Sequence, residues 1–434
     1  MSRSHWRRRL VPSAILMSCA AASVAAADVV TEWDRTACDL VVAAQVGPAM
    51  ANRVLAIVDT AVYEAVNAIT GRYMASEVNL SPAPDASIPA AVAAANRATL
   101  VKLIPPQASE VDRAYRNALA VIPDGAAKNA GIAVGEAAAQ AILALRAGDA
   151  PDSGEAYRPF TEPGVYVPTV LPYALQWSRR KPWTMTDAAQ FRPGPPPALS
   201  SPAWARDYQE IKVLGGKNDA RRTSEQTAVA RFWESTAPHL YHGLARSVAE
   251  SPGREVTDNA RVFAAVSQAT DDALIAVFDA KYHYGFWRPV TAIRNGDNDG
   301  NDATERDPAW TPFIETPLHP EYPCAHCIVA AAVGAVLEAE VAPGQMPPLR
   351  TASPSAGGST RTWTRVEDLV REVSNARVWD GVHFRTSTEV GADMGKRIGA
   401  LTAAKVLGAK AAPEVAADAN RGSTTAAVEG ASPR

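Results

Sequence analysis

Cysteine is scarce. The 434 residues hold four, at positions 19, 38, 324 and 327, too few for a disulfide-built scaffold. Cys324 and Cys327 stand as Cys-Ala-His-Cys, a spacing open to a disulfide, a redox couple or half of a zinc site. No second Cys-x-x-Cys or βαβ pattern selects among these. Charge of one sign is also lacking. With a formal net of −3 there is no overall basic field to attract nucleic acid, so any anion must be held by a local cluster. Past the N-terminus no uninterrupted apolar run reaches membrane-spanning length; the apolar segment 90–104 is broken by Asn96, Arg97 and Lys102. No stretch reads as a sheet, and the pattern predicts an all-α protein.

The N-terminus has the form of an export leader: Arg7, Arg8 and Arg9, an apolar run from Leu10 to Met17, and small residues at Ala25–Ala27 for cleavage. Cys19 ends a lipobox-like Leu-Met-Ser-Cys, an alternative that would anchor the chain through lipid. Cleavage near Ala27 and a soluble periplasmic or secreted protein are the preferred expectation. Helical periodicity then predicts helices over 50–69, 88–104, 109–122 and 126–147. From 151 to 202 proline is dense and the periodicity vanishes, as expected of a long excursion over the helical body, helping to roof a site. Helices resume at 204–214, 224–234, 257–281, 326–341, 364–379 and 386–407. Thr364-x-x-Glu367 and Thr386-x-x-Glu389 read as capping boxes for the last two. The organisation expected is a leader (1–27), an N-terminal helical region (28–150), the excursion (151–202), a helical region carrying the site (203–410) and a disordered tail (411–434). Asp297–Asp302 lacks the ligand order of a calcium loop and reads as solvated. His239-x-x-His242 lacks a third ligand and reads as structural.

The chemistry concentrates between Lys281 and His383. Lys281 and Arg288 are seven residues apart, about two helical turns, which predicts that they share a helix face. Pro323-Cys324-Ala325-His326 leads into a helix whose N-terminal N–H groups can hold an anion. Arg377 and His383 follow, with Gly381 stopping the helix between them. Point charge from Lys281, forked donors from Arg288 and Arg377, and imidazoles from His326 and His383 make a kit for a highly charged oxyanion such as phosphate or vanadate.

In this order the motifs resemble those of the vanadium haloperoxidase and type 2 phosphatidic acid phosphatase superfamily. Its pattern is Lys-x6-Arg-Pro, then Pro-Ser-Gly-His, then Ser-Arg-x5-His. Here it stands as Lys281-x6-Arg288-Pro289, Pro323-Cys324-Ala325-His326 and Ala376-Arg377-x5-His383, and the segment Ile57–Ile69 is similar to the first core helix of bacterial members. The resemblance implies a large helical bundle. It implies that Lys281, Arg288, Cys324, Ala325 and Arg377 hold the oxyanion, that His326 is the acid–base residue, and that His319 lies beside the halide. It implies that His383 is the axial ligand of vanadium or, in a phosphatase, the nucleophile that becomes phosphohistidine. Cys324, Ala325 and Ala376 depart from the pattern, and Ser387 stands where an aspartate often orients the last histidine. Three functions follow as expectations. The first is an exported haloperoxidase using vanadate, hydrogen peroxide and halide, bromide ahead of chloride. The others are a metal-free acid phosphatase acting on soluble phosphate esters, and an oxyanion-binding protein that has lost its chemistry. Small molecules are the expected partners, and a homo-oligomer is compatible.

Overall fold

The computed structural model describes residues 28–74, 78–149, 157–168, 170–218 and 221–408. The leader with Cys19, the start of the proline-rich stretch and the tail beyond 408 lie outside these residues.

Among the described residues thirteen α-helices carry the fold: α1 (Val29–Ala43), α2 (Pro48–Thr70), α3 (Ile88–Leu103), α4 (Ala108–Ala120), α5 (Ala126–Leu145), α6 (Pro202–Leu214), α7 (Ser224–Phe232), α8 (Pro238–Ala249), α9 (Val256–Tyr284), α10 (Pro289–Arg294), α11 (Ala325–Glu340), α12 (Val366–Trp379) and α13 (Arg385–Thr402). Local chemistry starts and stops them. Asp28 caps α1, Ser87 caps α3, Ser201 caps α6, and Thr223 with Gln226 makes a reciprocal capping box on α7. Proline opens α2, α6, α8 and α10, where its missing N–H costs nothing.

The 29-residue α9 is the axis, buried along nearly its whole length, with α2, α11 and α13 packed around it. Small residues set the closest approaches. A Cβ on Gly395 of α13 would stand 2.0 Å from the Ile328 carbonyl of α11, and one on Gly135 of α5 would stand 2.2 Å from the Ala91 carbonyl of α3. The proline-rich stretch holds no α-helix among its described residues and is tied to α9 by buried carboxylates. Asp272 accepts from the backbone of Trp183 at 2.7 Å and of Thr184 at 2.8 Å.

A second polar network lies inside the bundle. His242 and Arg246 of α8 both bond Asp34 of α1, and Ser267 of α9 donates to Asp59 of α2 at 2.6 Å. His239, three residues before His242, turns outward to Asp39 at 2.8 Å, so the two histidines share no site.

Several expectations are corrected. A two-stranded antiparallel hairpin, β1 (Leu349–Ser353) with β2 (Ser359–Trp363), packs on α8, although the molecule remains an all-α bundle otherwise. Helices α1, α8 and α10 are additions to the expected set. Thr364 makes no capping box, because β2 keeps the chain extended to Trp363 and α12 starts after Arg365. Thr386 makes none either: α13 already begins at Arg385, and the Thr386 N–H is capped at 2.8 Å by Asp207 from α6. Asp299 is not solvated; it is buried and accepts from Trp204 Nε1 at 2.7 Å.

Candidate active site

Lys281 and Arg288 do not share a helix. Gly285, at φ 56°, ends α9 between them, and Arg288 is the N-cap of α10, with Pro289 at that helix's first position. The turn still brings both cations against the loop 319–321. Lys281 Nζ donates to the carbonyls of Pro320 at 2.9 Å and Glu321 at 2.8 Å, while Arg288 Nε donates to that of His319 at 2.8 Å. Arg288 Nη2 lies 3.0 Å from His319 Nδ1, and its Nη1 lies 3.3 Å from His383 Nε2.

Arg377 enters from the last turn of α12. Its Nη1 donates to the Trp233 carbonyl at 3.0 Å and to Asp380 at 2.7 Å, and its Nε and Nη2, buried, have no partner among the described residues. After α12 the chain reverses at Gly381 (φ 78°), where a Cβ would stand 2.2 Å from the Gly215 carbonyl. Glycine is required there twice, for its angle and for its size. This reversal delivers His383 to the site. Its Nδ1 bonds Glu321 at 2.8 Å, and the same carboxylate oxygen accepts the Phe384 N–H at 3.0 Å. A carboxylate can only accept, so His383 carries its proton on Nδ1 and presents the Nε2 lone pair toward Arg288.

Cys324 is the N-cap of α11, and Ala325 takes helical backbone in place of the expected glycine, so its Cβ meets no conformational penalty. One ring nitrogen of His326 is held by the Glu234 backbone, while its Nε2 is buried without a partner among the described residues. Five of these residues, His319, Ala325, His326, Arg377 and His383, line a cavity of about 350 Å³ together with Leu274, Phe278 and Leu318. Tyr173 of the proline-rich excursion also lines it, its backbone N–H donating to the Leu318 carbonyl at 2.7 Å.

Lys281 and Arg377 are 0% exposed and Arg288 1%. Three buried cations face two buried carboxylates, Glu321 and Asp380, and the shifts resolved for Lys281, Arg288, the three histidines and both carboxylates all run toward shedding charge. Burial, reinforced by Arg288, pulls the Lys281 ammonium well below its usual range. Burial pulls Arg288 down to about 10. His319, His326 and His383 are pushed well below the ordinary imidazole value by burial and then by neighbouring cations, so all three are neutral near pH 7. Burial raises Glu321 and Asp380 to about 7 despite the adjacent cations. A bound oxyanion would supply the missing negative charge, and the two free N–H groups of Arg377 and the free Nε2 of His326 are suited to meet it.

Of the eight residues expected at the site, His319, Ala325, His326, Arg377 and His383 line the cavity, Lys281 and Arg288 bind the backbone of the adjoining loop 319–321, and Cys324 is buried at the head of α11. The sequence motifs do not point to Glu321: they offer Ser387 to orient His383, but Ser387 Oγ stands 3.4 Å away. The available signal is a carboxylate inside His319-Pro-Glu-Tyr-Pro, immediately before the anion motif.

Residues 261–409 match the family model for the VCPO second helical-bundle domain. The chain is 28% identical over 181 residues to the vanadium chloroperoxidase of Curvularia inaequalis, an alignment covering 34% of this chain and 29% of that protein. Crystal structures of a bacterial vanadium-dependent iodoperoxidase (TM-score 0.74, 22% identity, 86% of this chain and 96% of that one) and of a holo-type bacterial vanadium-dependent chloroperoxidase (0.70, 19%, 83% and 93%) share its fold. With its three ordered motifs brought together beside one cationic cavity, the chain is similar to the vanadium haloperoxidases over residues 261–409 and shares their fold.

Proposed function

We propose that this protein is a vanadate-dependent haloperoxidase that oxidises halide with hydrogen peroxide, bromide and the more easily oxidised iodide ahead of chloride. The observation that carries it is the His383 arrangement. Glu321 fixes the tautomer, burial and the surrounding cations keep the ring neutral, and Nε2 is turned to the cationic cavity as a ligand. Lys281, Arg288 and Arg377 neutralise the oxyanion, and the N–H groups opening α11 add donors at the positive helix end. The chemistry that vanadate supplies when bound is Lewis-acid polarisation of peroxide. Nε2 of neutral His326 accepts a proton from incoming peroxide and returns it to the departing hydroxide. His319, held edge-on by Phe278 at 5.3 Å between ring centres, borders the apolar wall where halide would approach.

A second reading rests on the same His383 Nε2, which lies 3.3 Å from Arg288 Nη1. Without vanadate it is a competent nucleophile toward phosphorus, with His326 serving the leaving group, which is a phosphohistidine phosphatase. Parallel assays of the purified protein separate the two. Vanadate-dependent, peroxide-dependent bromination of a dye, lost in His383→Ala, supports the peroxidase; phosphate-ester hydrolysis inhibited by vanadate supports the phosphatase. Silence in both with vanadate still bound supports a binding protein. Export belongs to the same proposal and is read from the N-terminal sequence of the mature chain. Among the described residues no helix is long and apolar enough to cross a membrane.

A further inference from the structure

Two thiols lie at the head of α11, and the proposed reaction gives neither a covalent step. Cys324 Sγ accepts the Cys327 N–H at 3.2 Å. Both are free and buried. A spacing of three residues on the first turn of a helix holds two α-carbons about 5–6 Å apart, within the range a disulfide spans.

The two sulfurs are unequal. Cys324 is the N-cap, facing the positive end of the helix, with Arg377 and Lys281 near enough to act on its charge. Burial opposes ionisation, yet the bond from Cys327 and these cations hold the Cys324 thiol below its ordinary value. Cys327, one turn deeper, is pushed well above its own, chiefly by burial. Ala325, His326 and Arg377 line the cavity, and Cys324, the residue immediately before Ala325, is fully buried.

We propose that Cys324 and Cys327 are a peroxide-reducing dithiol–disulfide couple, a second reaction of this pocket that requires no vanadate. The Cys324 thiolate attacks one oxygen of hydrogen peroxide; an S–O bond forms, the O–O bond breaks, and the departing hydroxide leaves as water with the proton the thiol gave up. The Cys327 sulfur then attacks the sulfenic sulfur; the S–S bond forms, the S–O bond breaks, and the second hydroxide leaves as water with the Cys327 proton. Two thiols have supplied two electrons and one peroxide has become two waters. A small dithiol, or a protein with a dithiol site, resets the pair by exchange. The disulfide also removes the Cys324 S–H as a donor to a bound oxyanion.

The test uses the reduced full-length chain without vanadate. After one equivalent of hydrogen peroxide, the protein is denatured in an alkylating agent, digested and mapped by mass. The expected product is an internal Cys324–Cys327 disulfide in the peptide carrying both residues, reversed by dithiothreitol, with Cys38 still alkylated. It should form at least about tenfold faster than in the urea-unfolded chain, as expected for an activated thiol. Cys327→Ser should stop at a sulfenic acid trapped by a 1,3-dicarbonyl probe, and Cys324→Ser should leave Cys327 reduced. Full alkylation of both cysteines after peroxide overturns the proposal. So does oxidation of Cys324 to sulfinic acid without a disulfide, or a rate no faster than in the unfolded chain. None of these readouts depends on halide oxidation, so failure of the peroxidase reading leaves them intact.

Discussion

Glu321 shows how one side chain fixes the chemistry of another. Its carboxylate takes the Nδ1–H of His383 and, through Phe384, the backbone that carries it. Replacing it with glutamine keeps an acceptor of the same shape but removes the charge that raises the basicity of Nε2. Glu321→Gln should therefore weaken vanadate binding by about 10–100-fold, the usual effect of losing a carboxylate behind a ligating histidine. Glu321→Asp should recover part of it, and calorimetric titration with orthovanadate measures both. Equal affinity in all three proteins would reduce Glu321 to a packing role. Arg377 differs in kind, since its Nε and Nη2 have no partner among the described residues. Arg377→Lys keeps a charge but loses the fork, and should cost oxyanion affinity about tenfold with little change in stability. Affinity unchanged in that variant would mean that the free N–H groups face away from the anion.

At the scale of elements, the sequence spoke where the information is local. Lys281, Arg288, Cys324, Ala325, His326, Arg377 and His383 are legible because their spacing within each segment is the motif. Long-range partners leave no such trace. Glu321 lies 62 residues from His383, and Asp207 reaches 179 residues to cap Thr386, displacing the local box that the sequence offered. The shared helix face expected of Lys281 and Arg288 failed for a local reason that spacing alone passes over. Gly285 in the left-handed region ends the helix, and the turn then presents both cations to the same loop. Helix α13 supports α11 by backbone contact, and this can be tested apart from the chemistry. Gly395→Ala sets a methyl against the Ile328 carbonyl of α11, while Gly135→Ala does the same between α5 and α3. Each should lower stability in urea unfolding by about 1–3 kcal/mol. Only Gly395→Ala should also weaken oxyanion binding, since α11 carries Cys324 and His326 at its head. Equal losses of affinity would mean that the bundle transmits strain throughout.

The whole molecule stores ionisable groups out of water, and its stability should depend on pH in a direction that can be worked out. Asp59, deep between α2 and α9, is raised from 3.8 to about 7, chiefly by burial. A raised acid holds its proton more tightly folded than unfolded, so its contribution is largest below pH 4. It is lost as pH rises toward 7 and stays lost above that. Glu321 and Asp380 act in the same sense over nearly the same window. The buried histidines at 319, 326 and 383 act oppositely: their lowered values make the folded state gain as pH climbs toward 6.5, where the unfolded imidazoles give up their protons. The raw pH curve therefore mixes two opposing slopes, and a single variant is needed to isolate one. Asp59→Asn removes the carboxylate far from the cationic cavity and keeps an oxygen to accept from Ser267. Relative to the unsubstituted protein, its stability in urea should improve by about 1–3 kcal/mol between pH 4 and pH 8, since a tenfold change in proton affinity is worth about 1.4 kcal/mol. A difference that is flat with pH would mean that His242 and Arg246, through Asp34, keep Asp59 ionised at the bottom of the range. The interior network would then be an ion cluster and not a store of protons.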